Sequence, residues 1–317
     1  MMNNYKFKSI LKDELYNFIE FKKSLGYKYS YSVTICKKID EYWNTLEMEE
    51  IDFSEDYVMD FAKRNDNESL GYYKNRLYIL KHFSLFLIKQ GYKDIYVYDY
   101  SIKQNKYQYI PYIYTEEDMS KFINAIKNSK IYNKDKYIIV FKLLYCTGLR
   151  LSEATHIKLK DFNQTQGTIK ITNGKNSNIR LIALSNSMLE ELKKYLSKQY
   201  KTTDDYIFST KNNSFIKKSQ LQQIFRKIND ECEIGKNAIN RPRIHDFRHG
   251  FAIKTLDIMY EKGYDYHTTL PILAKYMGHT DITHTEYYLR LTKYYYHKVI
   301  EKENEYYNPI PEVNYDE

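Results

Sequence analysis

The sequence has no run of about eighteen consecutive apolar residues, so it offers no candidate membrane span. Its opening stretch, MMNNYKFKSILKDEL, lacks an apolar run followed by a small-residue cleavage site, and no secretory signal is expected. Cysteine is scarce: Cys36, Cys146 and Cys232 lie far apart, with neither paired nor metal-ligand spacing. That usage fits a reducing cytoplasm and three buried free thiols. Internal repeats and low-complexity tracts are also missing, which leaves an ordinary folded chain.

What is present sets the scale. The 317 residues suffice for two domains that each bury a core, and 43% hydrophobic with 28% charged residues describes a soluble globular protein. A formal charge of +8 is compatible with a polyanionic partner but does not by itself identify one. The 36 tyrosines, with abundant Lys, Asn and Ile, reflect a compositional bias rather than a function. A tyrosine that does chemistry must therefore be singled out by its surroundings.

The first hundred residues read as helix with almost no strand. Apolar residues recur at helical spacing in four runs: Ile10 to Ile19, Ile35 to Leu46, Tyr57 to Phe61 behind a Ser54 N-cap, and Ser69 to Gly91. Residues 93–114 break the period, are rich in tyrosine and contain Pro111, and so read as an interdomain linker. A second domain starts at Thr115, where TEED predicts a capping box closed by Asp118. A helix from Tyr137 to Cys146 ends at Thr147-Gly148, and a second one carries Arg150, Glu153 and Ala154. Residues 168–184 alternate around Asn173-Gly174 and predict a β-hairpin with Lys175 at its tip. Everything after Ser185 reads as helix: about 246–262, a run starting near Thr269-Leu270-Pro271 and stopping at Gly278, and a last one after Asp281. The expected boundaries are 1–100 for a helical N-terminal domain, 101–114 for the linker proper, 115–300 for a larger domain and 301–317 for a loosely structured tail.

Four segments concentrate reactive side chains: CTGLRLSEA (146–154), TNGKNSNIRLIAL (172–184), HDFRHGFA (245–252) and YMGHTDITHTEYYLRL (276–291). Each alone has a dull explanation, as a surface arginine, a solvated lysine or a core histidine. Their order and spacing together resemble the tyrosine recombinase (phage integrase) family, in particular its Xer-like site-specific recombinases. The family pattern matches Arg150 in TGLRLSE, Lys175 in NGKNSNIR, His245 and Arg248 in HDFRH, His279 in GHT, and Tyr288, nine residues beyond that histidine. The match is strong over about 111–300, while the N-terminal helices match only in kind. One departure is an extra residue between Arg150 and Lys175; aligning on RLIAL restores Lys175, with Lys170 a weaker rival.

The resemblance implies a mainly α fold with a small antiparallel β-sheet, organised as a two-domain C-shaped clamp. An N-terminal helical core-binding (SAM-like) module would join a tyrosine recombinase catalytic domain. It implies strand breakage and rejoining through a 3′-phosphotyrosyl link, with no cofactor and no metal. Double-stranded DNA would be the partner, a homo-tetramer the working unit, and accessory DNA-bending proteins candidate helpers; no membrane is involved, and the expected location is a bacterial cytoplasm, at the nucleoid. Physical chemistry gives each residue a reason. Negative charge builds on the non-bridging oxygens as phosphorus becomes five-coordinate, and planar, permanently charged Arg150 and Arg248 suit those oxygens, with His279 a third donor. The phenol of Tyr288, with an ordinary pKa near 10, needs positive charge or a base, a role the resemblance gives His245. Lys175 would protonate the leaving 5′-oxygen. Glu153 and His249 are expected to support these groups rather than react. Tyr287, about 100° around the helix from Tyr288, cannot face the same phosphate. Two rivals stand beside recombination: relaxation of supercoils in the manner of a type IB topoisomerase, and a catalytically silent DNA-binding or architectural protein of the same fold.

Overall fold

The computed structural model describes residues 6–27, 29, 32–99, 109–172, 179–279, 281–289 and 291–292. The chain divides into two compact units, Met1–Tyr107 and Gln108–Glu317. Among the described residues no helix is long and apolar enough to cross a membrane.

Among its described residues the first unit contains four helices, α1 (Lys12–Ser24), α2 (Ser32–Thr45), α3 (Glu55–Ala62) and α4 (Leu70–Lys89). Each turns its apolar stripe inward. Leu15 and Phe18 of α1, Ile35, Ile39 and Trp43 of α2, Val58 of α3, and Leu77, Leu80 and Phe83 of α4 share one buried cluster. Ser54 does occupy the N-cap position of α3, but its side chain accepts no capping bond; Ser69 caps α4 by accepting from Tyr72 N at 3.3 Å.

The second unit is helical around a small sheet. Helices α5 (Glu116–Asn128), α6 (Lys134–Thr147) and α7 (Leu151–Thr155) precede strands β1 (Phe162–Asn163), β2 (Thr168–Ile171) and β3 (Arg180–Ala183). These pair antiparallel in the order β1-β2-β3, with Ile169 opposite Ile182 and Ile171 opposite Arg180. Helices α8 (Asn186–Ser197), α9 (Lys218–Glu231), α10 (His245–Glu261), α11 (Tyr266–Met277) and α12 (Thr283–Leu289) follow. The capping box is present: Thr115 Oγ1 accepts from Asp118 N, and Asp118 Oδ2 from Thr115 N, both at 3.0 Å. Phe122, Phe141, Phe225 and Phe247 meet edge-on or tilted at the centre, which welds α5, α6, α9 and α10 into one core.

Several expectations are corrected. Both ends of the stretch read as a linker carry side chains that pack on a core. Ile95, Tyr96 and Tyr98 pack on the first core, and Tyr112 and Tyr114 on the second, Tyr114 being 1% exposed with its hydroxyl bonded to Asn229. Tyrosine rings make a polar-looking stretch adhesive. Helix α11 starts at Tyr266 behind Asp265, so Pro271 lies inside it; the missing N–H removes one intrahelical bond in an early turn, and the helix continues. Isolated β-bridges, Lys158 to Tyr206 and Ser209 to Phe215, interrupt the all-helical reading after Ser185. Of the three thiols only Cys36 is buried; Cys146 is exposed and lines a surface pocket, and Cys232 is half-exposed at the edge of the second core.

Candidate active site

Helix α6 ends where Gly148 takes a left-handed φ of 61°, a conformation glycine adopts without strain. The turn that follows delivers Arg150, which stands at the N-cap of α7 rather than within its first turn. Glu153, three residues on, accepts from the Arg150 backbone N at 2.9 Å and from Arg150 Nη1 at 2.9 Å. From β3, Arg180 reaches the same carboxylate, Nη1 to Oε1 at 3.1 Å and Nη2 to Oε2 at 2.7 Å. Glu153 is 3% exposed, so it is no solvated surface carboxylate. Burial alone would raise its pKa, but the hydrogen bonds and charge of Arg180, aided by Arg150, hold it below the ordinary carboxylate value.

The C-terminal end of α11 organises the cations. A helix leaves its last carbonyls without intrahelical partners and carries partial negative charge at that end. Here three successive carbonyls each take a guanidinium. Tyr276 O accepts from Arg180 Nε at 2.8 Å, Met277 O from Arg248 Nη2 at 2.6 Å, and Gly278 O from Arg150 Nη2 at 2.9 Å. Arg248, on the first turn of α10, also donates to Gly148 O at 2.7 Å and is 2% exposed. Burial first, and then the nearby charge of Arg150, lower its pKa to about 10, which still leaves it charged at neutral pH.

After the left-handed Gly278, His279 turns back toward this cluster. Its Nε2 lies 3.0 Å from Arg248 Nη2 and its Nδ1 2.8 Å from Thr285 Oγ1 on α12. Since a guanidinium can only donate, Nε2 accepts in this state and Nδ1 carries the proton. Tyr288 on α12 is 3% exposed. Its ring packs among Ala252, Ile253, Leu256 and Met277, and stacks near His279 at 6.2 Å. Its hydroxyl end is not in apolar surroundings alone: it lies within the field of the Arg248 guanidinium. Burial raises the phenol pKa above its ordinary value, and the charge of Arg248 offsets part of that rise.

His245 opens onto a cleft of about 470 Å³ that Arg150, Lys218, Arg226 and Arg243 also line. Surrounding protein, and then the charges of Arg248, Arg243 and Arg150, push its pKa down to about 4, although one side of the residue meets solvent. It is therefore neutral at pH 7. His249 lies between the two parts of the site, its ring 4.8 Å from that of His245 and 5.4 Å from that of Tyr288. It is nearer the phenol than a merely supporting residue need be.

The structure thus gathers Arg150, Arg248, His279, Tyr288, His245, Glu153 and His249. Lys175 falls within 173–178, outside the described residues, as do Tyr294 to Tyr296 and the tail after Val299. Lys170 points to the outer face of the sheet, into a shallow pocket with Lys160, Asn163 and Gln166 that none of the clamp residues lines. The residue that sequence reasoning missed is Arg180. The signal was available, since Arg180 and Ile182 share one face of a strand, and a charge on the core-facing side demands a buried counter-charge.

The family model described as the phage integrase family matches residues 113–294. Over 197 residues the chain is 31% identical to the tyrosine recombinase XerA of Pyrococcus furiosus, covering 62% of this chain and 63% of that one. A longer match, 281 residues at 24% identity, covers 86% of this chain and 73% of the tyrosine recombinase XerH of Campylobacter jejuni. The chain spans under two thirds of the length of the first curated relatives, 63%, 61% and 51%. Among solved structures, the XerH site-specific recombinase bound to palindromic difH substrate, a post-cleavage complex, aligns with TM-score 0.64 at 22% identity over 84% of this chain and 77% of that one. A lambda integrase tetramer bound to a Holliday junction aligns with TM-score 0.63 at 15% identity, over 88% and 76% of the two chains. These likenesses establish a shared, mainly helical fold with a small antiparallel sheet. The family match covers more than half of the chain, and the chain belongs to the phage integrase family.

Proposed function

We propose that this chain is a site-specific DNA recombinase that cuts and rejoins duplex DNA through Tyr288. The observation that carries the reading is the buried phenol of Tyr288 stacked near His279 and within the field of Arg248, a buried guanidinium that touches the same histidine, with Arg150 on the next carbonyl of the same helix end. A phosphate entering this cluster would meet donors that already hold their charge and orientation, which is the condition for stabilising a five-coordinate phosphorane.

In the proposed reaction the Tyr288 oxygen forms a bond to phosphorus as the bond to the 5′-oxygen breaks. The phenolic proton passes to a neutral imidazole, His245, and Lys175 protonates the leaving oxygen. Arg150 and Arg248 take the equatorial oxygens, with His279 beside them. The 3′-phosphotyrosyl link conserves the bond energy, so a 5′-hydroxyl from a second duplex reverses the step without a cofactor. Residues 1–100 are proposed as the core-binding domain and 115–300 as the catalytic domain. The partner is double-stranded DNA, the assembly a tetramer on two sites, and the location the cytoplasm, at the nucleoid. Lysine and arginine contacts to phosphates make binding fall steeply with salt. Incubation with a randomised pool of nicked suicide duplexes tests the reading: covalent capture of DNA supports it, and binding without capture contradicts it.

A further inference from the structure

Tyr109 occupies a position that the reaction as described does not use. Its hydroxyl donates to Asp246 Oδ2 at 2.9 Å, and the Arg243 guanidinium covers its ring at 3.3 Å from the centroid. Its carbonyl accepts from the hydroxyl of Tyr287. Asp246 is wholly buried, sits between His245 and Arg248 in the first turn of α10, and also accepts from Arg243 N at 2.9 Å. Tyr287 immediately precedes Tyr288 on α12. One residue is thus bonded to both helices whose separation sets the distance from the phenol to the guanidinium and the imidazole.

Helix α12 needs such an anchor. With 7 residues it makes few intrahelical bonds, and a helix this short is not stable by itself. Its polar attachments to the rest of the unit include Thr285 on His279 and Tyr287 on Tyr109. Two attachments a half-turn apart define both the height and the rotation of the helix. The rings of Tyr109 and Tyr287 also flank His249, at 6.4 and 6.1 Å, so the same pair bounds the imidazole nearest the phenol.

We propose that Tyr109 is a positioning residue for strand cleavage, its hydroxyl on Asp246 and its carbonyl on Tyr287 fixing the nucleophile helix against the helix that carries His245 and Arg248. This rests on the recombinase reading given above. A misplacement of about 1 Å can slow a reaction roughly a hundredfold, so loss of one tether is expected to reduce the rate of cleavage without abolishing it.

The test uses the full chain and the nicked duplex that the unsubstituted protein captures from the randomised pool. Tyr287→Phe, Tyr109→Phe and the double variant are compared for single-turnover adduct formation, DNA affinity and thermal midpoint. Tyr287→Phe should form adduct roughly 10- to 100-fold more slowly with unchanged DNA affinity. The same defect should persist on a duplex whose scissile 5′-oxygen is sulfur, because that leaving group needs no proton while the nucleophile must still be aligned. The double variant should be slowed less than the product of the single effects, since both tethers serve one alignment. A wild-type rate in Tyr287→Phe, a defect that the sulfur substrate removes, or a slowing that tracks lost affinity and a lowered midpoint overturns the inference. Failure of the unsubstituted chain to capture any duplex overturns instead the recombinase reading on which it rests.

Discussion

Arg180 holds Glu153 with both terminal nitrogens, at 3.1 and 2.7 Å, where the side chains are 8% and 1% exposed. The pair joins β3 to the start of α7 and fixes the carboxylate that in turn orients Arg150. Removing one member of a buried pair strands the other's charge and typically costs about 3–5 kcal/mol. Glu153→Ala is therefore expected to lower stability by about that amount in urea unfolding. Its pKa is lower in the folded than in the unfolded chain, so its contribution is complete above the ordinary carboxylate value near 4.5 and is lost as pH falls through the depressed folded value. Acid unfolding of the unsubstituted chain should show that loss, and Glu153→Ala should not.

Gly278 combines a left-handed φ of 68° with a site where an added Cβ would lie 2.8 Å from Arg180 Nη1. That nitrogen is held by Glu153 and cannot retreat freely. Gly263, at φ 82° with nothing within 4 Å, isolates the backbone cost, about 1–2 kcal/mol for a left-handed alanine. Gly278→Ala should exceed Gly263→Ala in destabilisation and, unlike it, slow adduct formation. Equal effects of the two substitutions on unfolding and cleavage would separate Arg180 from the site.

Much of this was legible in the sequence. The four N-terminal helices follow from apolar spacing, and the capping box at Thr115 from two side chains three apart. Arg150, Arg248, His279 and Tyr288 could be selected because each sits in a recognisable local string. The wiring between strings was not legible. That Tyr276, Met277 and Gly278 would present successive carbonyls to three different arginines depends on where α11 ends relative to α7, α10 and β3, and no local pattern encodes that. Tyr109 was hidden for a different reason: in a chain with 36 tyrosines its type carries no information, and only the buried Asp246 distinguishes it.

Arg150 offers the cleaner test of the cationic cluster. Arg248 is buried and satisfies two backbone carbonyls, so replacing it also unfolds the site, whereas the Arg150 side chain is 22% exposed. Arg150→Ala should lower the cleavage rate by about a hundred- to a thousandfold, the usual loss for one transition-state donor, while retaining most DNA affinity. Cleavage at an unchanged rate removes Arg150 from the phosphate site.

The two imidazoles of α10 predict a pH dependence. Folded His245 takes its proton only near about 4, against 6.5 for an unperturbed ring, and His249 only near about 3. The unfolded chain therefore binds more protons between pH 6.5 and those values, and stability should fall as pH drops through that window. His249→Phe should flatten the slope in urea unfolding at successive pH values; an unaltered slope would mean that His249 titrates normally.

The most direct measurement of the central claim is covalent capture of a nicked duplex by the unsubstituted chain and by Tyr288→Phe. The arrangement of Tyr288 against Arg248 predicts a protein–DNA adduct in the first and none in the second, with DNA binding intact in both. An adduct that survives in Tyr288→Phe, or is absent from the unsubstituted chain on DNA it binds, contradicts it.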